Sequence, residues 1–101
     1  MTHRPHRYAV RDENHVQLAA DLRACGFTVL DVSAVGGLVL DLLVIGYDER
    51  LGCNILRMVE AKRDEDAPVT LGEKMMLQQF PGVCKKAVVV EDVLRAYGRV
   101  G

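Results

Sequence analysis

Cysteine is scarce and irregularly placed. Cys25, Cys53 and Cys84 are an odd number, far apart, with no CxxC among them. That argues against a disulfide framework or a zinc-finger site and makes a reducing, intracellular setting the expectation. No apolar run approaches the ~20 residues that cross a bilayer. The longest, Leu38 to Ile45, has strand length and is interrupted by Asp41. The opening stretch MTHRPHRYAVRDENH has no apolar h-region, so neither a secretory signal nor a membrane partner is expected. No GxxxxGK[ST] is present, which disfavours a P-loop and a nucleotide cofactor. Serine and cysteine nucleophiles are disfavoured because none has a nearby His/Asp pattern. Nor is there an excess of one charge: 13 Lys plus Arg stand against 14 Asp plus Glu. Bulk electrostatics therefore make no case for a polyanion partner.

What is present is an ordinary globular composition. The chain has 101 residues, half of them apolar and 27% charged, enough for one domain with one core and no staples. The charges are unevenly spread. Residues 1–11 hold Arg4, Arg7 and Arg11 with His3 and His6 and no acid, and Lys85, Lys86, Arg95 and Arg99 lie near the other end. Basic ends around an acidic centre suit a polyanion held about a cation, and ordinary surface charge explains them equally well.

Residues 1–11 read as a flexible basic arm and 12–101 as a single domain. Asp12 can cap a helix running to Cys25, with Leu18, Leu22 and Cys25 on one face and Gly26 ending it. Phe27 to Val32 is rich in β-branched and aromatic residues and reads as a strand. Ser33 to Gly37 forms a turn, and Leu38 to Tyr47 a strand buried on both faces. Asp48 to Gly52 is a hairpin loop, Asn54 to Lys62 the next strand, and Arg63 to Val69 a charged loop. Thr70-Leu71-Gly72-Glu73 matches the S/T-x-x-E capping box and starts a helix to Gln79, with Met75, Met76, Leu77 and Phe80 as its core face. Phe80-Pro81-Gly82 stops it. Lys86 to Val90 is a strand and Asp92 to Tyr97 a short helix. The order predicts an α/β domain: a central mixed sheet of about four strands flanked by helices.

Asp41 breaks the most apolar segment of the chain, and an ionised carboxylate there is costly unless paired or bound to a cation. Glu60 and Lys62 alternate onto one face of the following strand. The midpoint between 41 and 60 falls at residue 50 or 51, inside the hairpin loop, so antiparallel pairing sets Asp41 beside Glu60. Two carboxylates and an ammonium at one sheet edge suit Mg²⁺ or Mn²⁺, which favour hard oxygen ligands and phosphate. The same residues also suit a plain ion pair, and spacing alone leaves both readings open.

Asp41…Glu60-Ala61-Lys62, preceded by a helix beginning near Arg11-Asp12-Glu13-Asn14-His15 and by Ser33-Ala34-Val35-Gly36-Gly37, resembles the PD-(D/E)XK nuclease superfamily. More narrowly it resembles the small VRR-NUC-type domains of phages and bacteria, in motif order over about residues 11–93. The resemblance implies a restriction-endonuclease-like core and a hydrolase of DNA phosphodiester bonds, located in the cytoplasm of a bacterial or phage-infected cell. It implies that Asp41, Glu60 and the Ala61 carbonyl bind Mg²⁺ (or Mn²⁺) and that Lys62 acts on the attacking water. Products would carry 5′-phosphate and 3′-hydroxyl ends. Asn14 and Glu73 fall at supporting positions; Glu73 also reads simply as the acid of the capping box. Gly36, Gly37, Arg63, Lys74, Lys85 and Lys86 are the nucleic-acid-contact candidates, each equally readable as a turn or a surface charge. Small relatives suggest a homodimer cutting branched or four-way-junction DNA, since two cuts need two sites.

The chain departs from the pattern twice. Leu40 replaces the proline of "PD", and the glutamine common in the first turn of the second helix corresponds to Lys74, with Glu73 before it. A non-catalytic nucleic-acid-binding or scaffold domain is the competing reading, and sugar specificity leaves no trace in the sequence.

Overall fold

A computed structural model describes residues 4–34 and 40–99, with side chains described from Asn14 onward. The elements run α1 (Arg4–Ala24), β1 (Thr28–Asp31), β2 (Leu42–Asp48), β3 (Cys53–Ala61), α2 (Leu71–Gln79), β4 (Cys84–Ala87) and α3 (Val90–Ala96). The strands form one sheet in the order β1-β2-β3-β4. The first two pairings are antiparallel, and β4 joins β3 in parallel across the α2 crossover. The expected α/β class and mixed four-stranded sheet are therefore present.

Several boundaries differ from expectation: β4 is Cys84–Ala87 and not Lys86–Val90, α3 begins at Val90 and not Asp92, and two further shifts bear on the site. The first helix starts at Arg4 rather than Asp12, taking in most of the segment read as an arm. Pro5 sits in its first turn, where a missing N–H costs nothing. Strand β2 starts at Leu42, so Asp41 immediately precedes the ladder instead of interrupting it.

Nor is β2 buried on both faces. Leu42, Val44, Gly46 and Asp48 are buried, whereas Leu43 and Ile45 are half-buried and Tyr47 is exposed. Helices α1 and α3 cover only the first of these faces. There Leu18, Ala19 and Leu22 of α1 and Val93 of α3 close on Val29, Leu42, Val44 and Val59. Gly46 is needed where it stands, because a Cβ at this position would collide with the Phe27 ring.

Among the described residues Tyr97 is the largest fully buried side chain. Its hydroxyl lies 2.8 Å from the Ile55 carbonyl and 3.0 Å from that of Val44, so it bridges β2 and β3 from beneath. The Arg57 guanidinium stacks 4.5 Å from the ring centroid and reaches Asp48 at 3.1 Å. Tyr97→Phe removes the hydroxyl from these carbonyls while keeping the ring. A loss of about 1–3 kcal/mol is expected. It would be read as a lower urea midpoint with an unchanged slope; a midpoint equal to wild type would show that the hydroxyl contributes nothing.

Candidate active site

The β2–β3 register builds the site. Leu42 pairs with Val59, so one step further Asp41 stands opposite Glu60. The Asp41 amide donates to Val59 O at 3.1 Å, and its Oδ2 accepts from the Ala61 amide at 3.1 Å. Glu60 is 4% exposed. One alternation on, Lys62 Nζ lies 3.3 Å from Glu60 Oε2, 3.1 Å from Glu73 Oε1 and 2.9 Å from Pro68 O. The three side chains expected to converge do so, at the end of the β2–β3 ladder.

Two helices frame this edge. From α1, Asn14 Nδ2 donates to the Lys62 carbonyl at 2.6 Å and pins the end of β3. Beside it, buried His15 places Nε2 at 2.8 Å from Asp31 Oδ2 and 3.1 Å from Ser33 Oγ. Both contacts use one ring nitrogen, so these residues do not form the relay of a hydrolytic triad. From α2, Glu73 serves two purposes. It completes the capping box, with Oε1 accepting from the Thr70 amide at 2.9 Å and its own amide donating to Thr70 Oγ1 at 3.1 Å, and it also holds Lys62. The cleft between these elements has a volume of about 380 Å³, and Arg63 lies on its wall.

The electrostatics divide the carboxylates. Burial raises the Glu60 pKa, and the neighbouring Glu73 and Asp41 carboxylates raise it further, to about 8, against the pull of Lys62. Burial also lifts Asp41, although the Ala61 amide, His15 and Lys62 oppose it. For Glu73, burial is outweighed by the Thr70 amide and Lys62, which leave it below the usual range. Burial is likewise outweighed at Lys62, where Glu73 and Glu60 push the ammonium upward. At neutral pH the site therefore holds a charged Glu73–Lys62 pair and a Glu60 that favours its proton.

A divalent cation fits the donor set. With Glu60 ionised, its buried Oε1 has no hydrogen-bond partner, and an unsatisfied buried oxygen is expensive. Among the described residues no group of three His, Cys, Asp or Glu side chains forms a ready metal site. The two carboxylates, Asp41 and Glu60, with the Ala61 carbonyl and water, would make the hard-oxygen set that Mg²⁺ or Mn²⁺ takes.

The remaining expectations divide. Asn14 and Glu73 do line the cleft. The residue that α2 turns toward the site is Glu73, whereas Lys74, expected in that role, is exposed and points elsewhere. Lys85 and Lys86 also lie off the cleft; Lys86 Nζ reaches Glu65 O at 3.5 Å. Gly36 and Gly37 fall outside the described residues. Met75 and Phe80 are 47% and 49% exposed, and α2 buries none of its residues, so its apolar side chains are not core. The Pro68 carbonyl had no sequence signal, being backbone in an irregular loop. His15 had one: it continues the Leu18 and Leu22 stripe at helical spacing and enters the cleft at the end of that stripe.

Among the described residues no helix is long and apolar enough to cross a membrane. No protein-family model, curated protein or solved structure matches the chain.

Proposed function

We propose that the chain is a divalent-metal-dependent nuclease that hydrolyses DNA phosphodiester bonds, on a restriction-endonuclease-like core. The observation that carries this reading is the meeting of Asp41, Glu60 and Lys62 in one cleft, with Glu60 Oε1 buried and, when ionised, unsatisfied. Asp41, Glu60 and the Ala61 carbonyl would hold Mg²⁺ or Mn²⁺. When bound, such a cation supplies Lewis-acid chemistry, making water a better nucleophile and offsetting charge that builds on the phosphate.

The chain's own residues do the rest. Asp41 is oriented by the Ala61 amide, which fixes one of its oxygens and leaves the other for a ligand. Glu60 would give up its proton on holding the cation. Lys62 presents an ammonium to the attacking water and the phosphate, where it stabilises developing negative charge. Water adds at phosphorus, the P–O3′ bond breaks, and the 3′ oxygen leaves as a hydroxyl, with the phosphate retained on the 5′ end. Arg63 lines the cleft wall and would meet a neighbouring phosphate. A homodimer would supply the two sites that cutting a four-way junction requires.

The competing reading is a non-catalytic binding or scaffold domain. The observation favouring it is the saturation of Lys62 by three acceptors of the chain itself. A cleavage assay on single-stranded, duplex, flap and four-way-junction DNA, with and without Mg²⁺ or Mn²⁺, decides. Cleavage of at least one substrate that disappears with EDTA is the expected outcome. Intact DNA under every metal condition would favour the scaffold.

A further inference from the structure

Lys62 is held by acceptors of unequal permanence. Glu60 Oε2, at 3.3 Å, is the longest of its three contacts and belongs to a residue assigned to the cation. The other two come from the segment that follows β3: Pro68 O at 2.9 Å and Glu73 Oε1 at 3.1 Å. The Glu73 carboxylate is itself held by backbone, because the same Oε1 accepts from the Thr70 amide; the Glu73 amide donates to Thr70 Oγ1 and closes the box without touching that carboxylate. The N-terminal capping box of α2 thus ends on the ammonium of the proposed catalytic lysine. Nothing about a cap requires this: the box asks of its glutamate only that it reach back to the Ncap amide. Here Glu73 and Lys62 are only 12% and 13% exposed, and α2 buries no residue of its own. The helix therefore gains little from apolar packing, and its ordered contact with the site is this ion pair.

We infer that Glu73 is a positioning residue for Lys62, which, with the Pro68 carbonyl, holds the ammonium in the cleft. Two of the three N–H bonds of Lys62 stay tied to this bracket. The third, on Glu60, is freed when Glu60 turns its charge to a cation, and becomes available to water or phosphate. An untethered four-carbon stem would lose this orientation through rotamer freedom. The inference rests on the nuclease reading for its catalytic meaning, but the bracket itself is a property of the protein without metal.

The test uses the full chain and three variants. Glu73→Ala removes both the cap acceptor and the Lys62 acceptor. Glu73→Gln keeps a neutral acceptor for both. Thr70→Ala weakens the cap but leaves Glu73 and the residue-70 amide in place. In the metal-free protein, nitrogen-detected NMR of lysine ammonium groups reads the bracket directly, since a tethered, shielded ammonium exchanges slowly. Wild type, Thr70→Ala and Glu73→Gln should show the Lys62 signal, weaker in Glu73→Gln, and Glu73→Ala should lose it. With Mg²⁺ and cleavable DNA, Glu73→Ala should lower kcat at least about tenfold, the size of effect seen for supporting residues around metal sites, with KM little changed. Glu73→Gln should recover most of that loss, and Thr70→Ala should lose thermal stability but keep kcat. A persistent Lys62 signal in Glu73→Ala would overturn the inference, as would Glu73→Ala and Thr70→Ala falling together in signal and kcat. Wild type that retains the ammonium signal yet cleaves no DNA would defeat the nuclease reading while leaving the bracket standing.

Discussion

Asp41→Asn should abolish metal-dependent cleavage while leaving the protein folded. Asparagine keeps a carbonyl oxygen at the branch that accepts the Ala61 amide, so the start of β2 retains its tether. What disappears is an anionic oxygen aimed at the cation. Removing one preorganised electrostatic partner of a transition state commonly costs about 10²–10³ in kcat, and a loss at the upper end of this range is expected for one of only two carboxylate ligands. The metal-free variant should melt no lower than wild type, because Asp41 is a half-buried carboxylate beside Glu60 and Glu73 and its charge opposes theirs. Wild type should gain thermal stability in Mg²⁺ or Mn²⁺ by mass action on the native state, and the variant should lose that gain. Circular dichroism checks the fold, and thermal scans with and without metal check the ligand. If wild type and Asp41→Asn respond identically to saturating metal, Asp41 belongs to an ion-pair network and not to a cation site.

The second large effect lies in the pH dependence of the metal-free protein. Glu60 has a folded pKa of about 8 against an ordinary 4.5. Between those values the folded state holds a proton that the unfolded state has released. Stability must then fall as pH rises through this window, and the loss is complete above the folded pKa. The full difference sets an upper bound of roughly 4–5 kcal/mol. Asp41, also raised, acts in the same direction. Glu73, Asp31 and Asp92 are lowered, so their contributions are lost only in more acidic solution. The groups facing Glu60 are Asp41, Glu73 and Lys62, with His15 on the same cleft, so the diagnostic quantity is the difference between wild type and Glu60→Gln. Urea unfolding at intervals from pH 5 to 9 should show wild type declining and the variant nearly flat, the variant becoming the more stable near pH 8. Divalent metal should flatten the wild-type curve as well, since cation binding expels the same proton and tightens with rising pH. Parallel curves for wild type and Glu60→Gln would mean that Glu60 titrates as an ordinary carboxyl.

Particular residues show how far the one-dimensional reading reaches. The hairpin midpoint placed Asp41 across from Glu60, and the ladder has that register because Asp48 to Gly52 supplies a turn of the right length. The Thr70–Glu73 box was legible because capping is local: donor and acceptor are three residues apart. Gly26 stops α1 at positive φ for the same local reason. The methionines of α2 illustrate the opposite case. Helical spacing says which side chains share a face, but not whether another layer lies over it, and here none covers Met75 or Phe80. The both-sides burial expected of β2 fails likewise, since apolar residues on an open sheet face look the same in sequence as residues between two layers.

The amino-acid sequence by itself determined the α/β order, the hairpin register, the second-helix cap and the pairing of an isolated aspartate with a Glu-x-Lys strand. These depend on contacts between near neighbours or on a single loop length. Only the tertiary structure decided that Glu73 holds Lys62 as well as the cap, that His15 reaches the site beside Asn14, and that Pro68 lends it a carbonyl. Each of these depends on where one element comes to rest against another. That placement is set by the summed burial of the core and not by any residue's own preference.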